Sequence, residues 1–340
     1  MNPPGTVQSS LAWDDGTIVT LDQRALPHET RQIRLTTVEE VSEAIATLAI
    51  RGAPAIGLAG ALAVALSARR HLSGPAPDPG AVRADAERLV AVRPTAVNLA
   101  WAVNRVLHHL PEGTDAVLAE ALNMLDQDIA VNLRMVTHAV DAVTSTCPDK
   151  PLSIWTHCNT GRLATAAVGT ALGTILALAE SGRVREVLVG ETRPLLQGAR
   201  LTTWELAEAD IPHRLCVDSA AATAMAVGLV DCVLVGADRI AANHDVANKI
   251  GTYALALAAH HHGVPFFVVA PESTRDATIP GASHIVVEQR PAHEVTHYAG
   301  KLTAPASTRA FNPAFDTTPA QLITAVISED GITWPKGDHA

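Results

Sequence analysis

From Leu152 onward the chain repeats one device. Short runs rich in β-branched and aromatic residues, LSIWTH, VREVLVG, HRLCV, DCVLVG, VPFFVVA and HIVVE, are separated by stretches long enough for a helix. Strands spaced this widely are joined by crossovers rather than tight hairpins, so the pattern demands βαβ units and a parallel sheet. It predicts helices from Gly161, near Gln197, after Ser219 and after Val246. Near the end, TTPAQLITAVISEDG reads as one more helix, with Pro319 in its first turn and Gly331 beyond its end. No GxGxxG occurs, so the dinucleotide-binding fingerprint is absent.

The first half lacks this rhythm. TIVTLDQRALP reads as a strand running into a turn at Pro27, and Thr37 with Glu40 three residues later forms a capping-box pattern. Further helices are expected after RGAPAIG, after the break SGPAPDPG, after RPTAVNLAWAV, and from about Thr114 to Val143. The polar segment TSTCPDKP carries two prolines and is the natural boundary. The expected organisation is therefore a small mixed, mainly helical domain over 1–146 and an α/β domain with a parallel sheet over 147–340.

Charge and composition exclude several classes. A net charge of −10 argues against nucleic acid or an anionic membrane as partner. The apolar runs Ala55 to Ala68 and Thr165 to Ala179 fall short of the roughly 20 residues that cross a bilayer, and read as buried Ala-rich helices. Cys147, Cys158, Cys216 and Cys232 show no CxxC spacing, which points to free thiols in a reducing compartment. No basic-then-apolar leader opens the chain, and the expectation is a cytoplasmic protein.

In open parallel sheets ligands sit outside the carboxyl ends of the strands. Four successive runs deliver polar groups there: Cys158-Asn159-Thr160, Glu191-Thr192-Arg193, Asp218-Ser219 and Asp238-Arg239. Each has an ordinary reading. Asp218 reads as a helix cap, Glu191 and Arg193 as a possible ion pair, and Cys158 as a small buried hydrophobe. Ahead of a Gly161-led helix, however, the dipole would favour a Cys158 thiolate. Asp238 lies too far from a helix start near Val246 to cap it. Asn248 and Lys249 fall in the first turn of that helix, where a cation opposes the macrodipole and calls for a compensating anion such as phosphate. Arg51-Gly52 before Pro54, and Arg93 before Pro94-Thr95, repeat the layout of a cation at a free helix start. The run His260-His261-His262 points in different directions on a helix and reads as a helix end, not a metal site.

These segments, taken together, carry a resemblance. RGAPAIG from Arg51, RPTAVNLAWAV from Arg93, THCNTG from Thr156, GETRPLLQGARLTTWEL from Gly190, DSAAATAM from Asp218, GADRIAANHDVANKIGTY from Gly236 and NPAFDTTPAQLI from Asn312 resemble, in this order, the methylthioribose-1-phosphate isomerases. The resemblance implies a Rossmann-like C-terminal domain without nucleotide, a homodimer, and isomerisation of 5-methylthioribose 1-phosphate to the ketose without metal or cofactor. It implies Cys158 and Asp238 as the catalytic pair. Arg51, Gly52, Ala53, Arg93, Gln197, Asn248 and Lys249 would hold the substrate.

An aldose 1-phosphate has its anomeric carbon locked, with no free aldehyde to acidify the neighbouring C–H. Opening the ring needs an acid at the ring oxygen, a role that suits Asp238 in a desolvated pocket. Two features depart from the family pattern: His244 stands where glycine is expected, and the segment around Arg275 is altered, which bears on the 5-substituent. Another 5-substituted ribose 1-phosphate, such as 5-deoxyribose 1-phosphate, is the alternative substrate. The regulatory subunits of the eukaryotic initiation-factor exchange complex share the fold as binding modules, but Cys158 and Asp238 together with Asn248-Lys249 point to an enzyme.

Overall fold

The computed structural model describes residues 9–93 and 97–335, so Pro94 and Thr95 of the RPTAVNL motif lie outside the described residues. The chain divides into two compact units, Met1–Leu133 with Thr160–Gly169 and Arg134–Asn159 with Thr170–Ala340. The division runs through a long helix rather than through TSTCPDKP, and the segment after Asn159 returns to the first unit.

In the first unit, β1 (Leu11–Asp14), β2 (Thr17–Leu21) and β3 (Gln32–Leu35) form an antiparallel meander. Helix α1 (Val38–Ala46) starts on the expected capping box: the Glu40 N–H donates to Thr37 Oγ1 at 3.1 Å, and Glu40 Oε2 accepts from the Thr37 N–H at 3.2 Å. Helix α2 (Ala53–Leu72) is buried without interruption from Ala55 to Ala68, as an apolar helix with no polar face must be. Helices α3 (Pro79–Ala91), α4 (Val97–Leu107) and the start of α5 (Thr114–Thr146) surround it. Close packing of α2 on α4 depends on Gly57, where a Cβ would come within 2.8 Å of the backbone oxygen of Asn98. No helix among the described residues is long and apolar enough to cross a membrane.

The second unit continues in chain order through β4 (Leu152–Thr156), α6 (Ala171–Glu180), β5 (Val184–Gly190), α7 (Thr203–Glu208), β6 (His213–Cys216), α8 (Ala221–Ala226) and β7 (Cys232–Val235). Then come β8 (Arg239–Ala241), β9 (Val246–Lys249), α9 (Thr252–His261), β10 (Phe266–Val269) and β11 (Arg275–Asp276). The chain ends with α10 (His293–Thr296), the two-stranded β12 (His297–Tyr298) and β13 (Lys301–Leu302), then β14 (Phe315–Thr318), β15 (Ala325–Ser328) and β16 (Gly331–Thr333).

The main sheet has the order β16-β15-β10-β7-β4-β5-β6, parallel except for β16. Numbered along the chain, its parallel strands lie 3-2-1-4-5-6, the doubly wound order, and the direction of winding reverses between β4 and β7. Apolar side chains fill both faces. Ile154, Leu234 and Phe267 pack on one side against the end of α5, and Trp155, Val233 and Phe266 pack on the other against α9.

Four expectations are corrected. Residues after Gly161 form only a 3₁₀ turn over Arg162–Ala164, and the helix begins at Ala171, so no helix dipole starts beside Cys158. Asn248 and Lys249 lie on β9, not in a helix, because β9 is paired on both sides, with β8 and with β14; α9 starts only after Gly251, whose φ of 106° breaks the strand. HIVVE is not a strand, since the seat beside β10 is taken by β15. That strand comes from TTPAQLITAVISEDG, whose β-branched Ile323–Ile327 stretch pairs in parallel with β10 instead of coiling. Gly331 then serves the hairpin into β16, with φ of 139°.

Candidate active site

The reversal between β4 and β7 brings the ends of these two strands side by side, with Thr156 opposite Leu234. Cys158 follows the first and Asp238 follows the second. Around Cys158 three consecutive residues are anchored to three different elements. His157 Nε2–H donates to Ile250 O at 2.9 Å, the Cys158 N–H donates to Thr192 Oγ1 at 2.9 Å, and Asn159 Nδ2 donates to Glu205 Oε1 at 2.7 Å. The Cys158 carbonyl accepts from Thr202 Oγ1 at 2.6 Å. This clamp holds Cys158 at φ 63°, a left-handed backbone that costs a side-chain-bearing residue about 1–3 kcal/mol. The neighbouring His157 is buried, and desolvation pushes its imidazole below the usual range, so it is neutral with the proton on Nε2.

The loop after β5 supplies the other half of the clamp. Thr192, fully buried at φ 64°, donates its hydroxyl to Gly190 O at 3.0 Å. Asp218 is not a helix cap. Its two oxygens accept the backbone N–H groups of Thr192 and Arg193, at 2.8 and 2.7 Å. Gly198 allows this loop to close, since a Cβ there would lie 1.8 Å from Gly190 O. Gln197, just before the π-helical turn Gly198–Thr202, is buried, and its Oε1 has no hydrogen-bond donor among the described residues. A buried amide oxygen in that condition gains from a ligand hydroxyl.

Asp238 opens the β8–β9 hairpin, and Asn248-Lys249 close it. The Asp238 N–H donates to Ala247 O at 2.9 Å, so the acid and the amide-ammonium pair stand at the same end of one hairpin. Next to β9, β14 positions them further. Lys249 Nζ donates to Ala314 O at 2.9 Å and lies 4.6 Å from the centre of the Phe315 ring, a cation–π contact. Asn248 Nδ2 donates to Thr252 Oγ1 at 3.0 Å. Asp316 accepts the Gly251 and Tyr253 N–H groups at 2.7 and 3.0 Å, so a carboxylate of the chain already occupies the α9 start. Burial pushes that carboxyl up to about 6. The Gly251 and Tyr253 N–H groups at the start of α9 are therefore already taken by Asp316.

His244 sits at the tip of the hairpin with φ 67°, and Arg275 Nη1 donates to its Nδ1 at 3.2 Å while Nε donates to Glu272 Oε2 at 2.9 Å. Strand geometry puts that tip about 10 Å from the Asp238 end. Arg275 thus ties the tip to the loop after β10.

In the first unit, Arg51 is buried beside the start of α2, and Gly52 is the N-cap, with no side-chain hydrogen bond. At φ 94°, and with a would-be Cβ 2.7 Å from Ala164 Cα, position 52 admits only glycine. Ala53 begins the helix and Pro54 fills its first turn, the anion-receptive arrangement expected from RGAPAIG. Arg93, half-buried, lies just beyond α3.

Sequence reasoning overlooked His157 and Asp316 and did not find the role of Thr192. Thr192 and His157 both lie inside quoted motifs directly beside singled-out residues, which is the one signal available. Asp316 carried none, because its partners are more than sixty positions away in the chain.

The initiation factor 2 subunit family model matches residues 49–335. The chain belongs to that family. Members similar to it include the methylthioribose-1-phosphate isomerase of Pelotomaculum thermopropionicum, 47% identical over 97% of this chain and 92% of that one. The 5-deoxyribose 1-phosphate isomerase of Moorella thermoacetica is 46% identical over 96% and 94%. A probable bifunctional methylthioribose-1-phosphate isomerase/methylthioribulose-1-phosphate dehydratase of Nocardia farcinica is 65% identical over 95% of this chain, but the chain spans only 59% of its length. Among solved structures, 5-methylthioribose 1-phosphate isomerase from Pyrococcus horikoshii OT3 superposes with a TM-score of 0.86 at 37% identity, covering 98% of this chain and 96% of that one. Translation initiation factor eIF-2B subunit delta from A. fulgidus gives 0.84 at 39%, covering 96% of each. The resemblance read from the motifs thus holds at the level of family and fold.

Proposed function

We propose that this family member isomerises 5-methylthioribose 1-phosphate to 5-methylthioribulose 1-phosphate, with Cys158 and Asp238 as the catalytic pair. The observation that carries the reading is the winding reversal between β4 and β7, which brings a thiol and a carboxyl to neighbouring strand ends with Asn248-Lys249 on the acid's own hairpin. The names of the similar proteins support the same reaction.

Asp238, protonated, gives its proton to the ring oxygen as the C1–O bond to the ring breaks. The hydrogen on carbon 2 moves to carbon 1, and the 2-hydroxyl gives up its proton to become the ketone. One proton is supplied and one recovered, so no oxidant is consumed. Cys158 faces the C1–C2 transfer, whether the hydrogen moves as a proton through an enediol or as a hydride. Lys249 and Asn248 hold the phosphate; Gln197 takes a donor hydroxyl of the sugar on its unpaired Oε1. Arg51, Gly52, Ala53 and Arg93 bind substrate as well, consistent with the uncapped start of α2. The chain acts as a homodimer in the cytoplasm, within methionine salvage.

A 5-deoxyribose 1-phosphate reading has one specific support: the Moorella protein is about as similar as the Pelotomaculum methylthioribose-1-phosphate isomerase. A panel of ribose 1-phosphates differing only at carbon 5 separates the two. The methylthio compound is expected to have the highest kcat/KM, by about 10-fold or more over the 5-deoxy one, since a buried thiomethyl group adds 1–3 kcal/mol of discrimination. Higher kcat/KM for 5-deoxyribose 1-phosphate would shift the assignment, and no ketose from any member would remove it.

A further inference from the structure

The motif GETRPLLQG is only partly used by the reaction. Gln197 is proposed to bind the substrate, whereas Thr192 is fully buried and has no part in the proposed reaction. Its surroundings are nonetheless highly constrained. It has a left-handed backbone although β-branched, which is rare without a compensating role. Its N–H is bound to Asp218 Oδ1, its hydroxyl hydrogen is directed at Gly190 O, and its Oγ1 therefore turns a lone pair to the Cys158 N–H. Cys158 is itself left-handed. Two uncommon backbone conformations are thus locked together by one hydrogen bond, and Gly198 is bare so that the loop can press this close: a Cβ there would stand 2.9 Å from Thr192 Oγ1.

We propose that Thr192, fixed from behind by Asp218, is a positioning residue for the isomerisation, holding Cys158 in the single backbone pose that presents its thiol to the substrate. The inference rests on the reading of Cys158 as catalytic. A hydroxyl that merely satisfied its own hydrogen bonds in the core would have no effect on the thiol. A hydroxyl that sets the pose of Cys158 alters turnover and thiol reactivity together, while the groups that hold the phosphate stay in place.

The test uses the full chain with Thr192→Val, Thr192→Ser, Asp218→Asn and Cys158→Ser. Steady-state kinetics with methylthioribose 1-phosphate are paired with the rate of Cys158 alkylation by iodoacetamide, followed on the Cys158 peptide by mass spectrometry. Thr192→Val is expected to lower kcat about 10- to 100-fold with KM within about 3-fold, the scale of a misplaced reacting group, and to change the alkylation rate at least about 3-fold. Thr192→Ser, which keeps the oxygen, restores both. If the valine variant does not fold, Asp218→Asn carries the test, with the same pattern expected in milder form. Unchanged kcat and alkylation in Thr192→Val, or in Asp218→Asn where it stands in, overturns the inference. So does a serine variant as impaired as the valine one. Full activity in Cys158→Ser overturns instead the reading of the thiol on which it rests.

Discussion

A single missing methyl group decides whether the loop after β5 can form. At Gly198 any side chain would overlap Gly190 O at 1.8 Å, and the obstacle is backbone, which cannot swing aside. Gly198→Ala is therefore expected to destabilise the protein by more than about 4 kcal/mol or to abolish soluble expression, whereas most single substitutions cost about 1. Thermal unfolding of purified variant checks this; a melting temperature within a few degrees of wild type, by about the shift that 1 kcal/mol produces, would contradict it. At this scale the sequence was partly legible. Cys158 and Asp238 stood out because polar residues at strand ends are chemically conspicuous, and Asn248 and Lys249 because they read as the first turn of a helix, although they lie on β9. Asp218 looked like a cap because local spacing cannot reveal that its carboxylate serves the backbone of residues 192 and 193.

Elements were legible where the deciding interactions are local. The capping box of α1, the buried α2 and strands β4, β5, β6, β7 and β10 follow from side chains within a few positions of one another. Strand β9 did not, because VANK takes its conformation from β8 and β14, and β14 lies some sixty residues further on. The same holds for β15, whose pairing with β10 overrides a locally helix-compatible run.

Asp316 binds this corner of the fold together and has a measurable signature. Its carboxyl is raised from 3.8 to about 6, chiefly by burial, with the N–H groups of Gly251 and Tyr253 pulling the other way. The folded state thus holds this proton more tightly than the unfolded chain. The group's contribution to stability is complete below pH 3.8 and is lost as pH rises through 6, by up to roughly 3 kcal/mol. Compared with Asp316→Asn, the wild type should gain relative stability as pH falls from 7 to 4. Urea unfolding of both proteins across that range measures it, and a difference that does not move with pH would contradict the assignment.

For the molecule as a whole, a chain with net charge −10 is proposed to bind an anion, so the cationic groups must be gathered locally. Lys249, beside Asn248 on β9, is the cation proposed for that role. The doubly wound topology explains why thiol and acid, eighty positions apart in the chain, leave neighbouring strands. Similarity alone does not decide what such a scaffold does, since an isomerase and an initiation-factor subunit superpose on it about equally well. The proposed catalytic acid, Asp238, after the end of β7, is the residue by which catalysis and binding are to be told apart. The most direct measurement is ketose formation from methylthioribose 1-phosphate by wild type and Asp238→Asn, with substrate affinity of each taken by calorimetry. Turnover should fall by about 10²- to 10⁴-fold while Kd stays within about 3-fold. An Asp238→Asn protein that turns over at the wild-type rate would contradict the account.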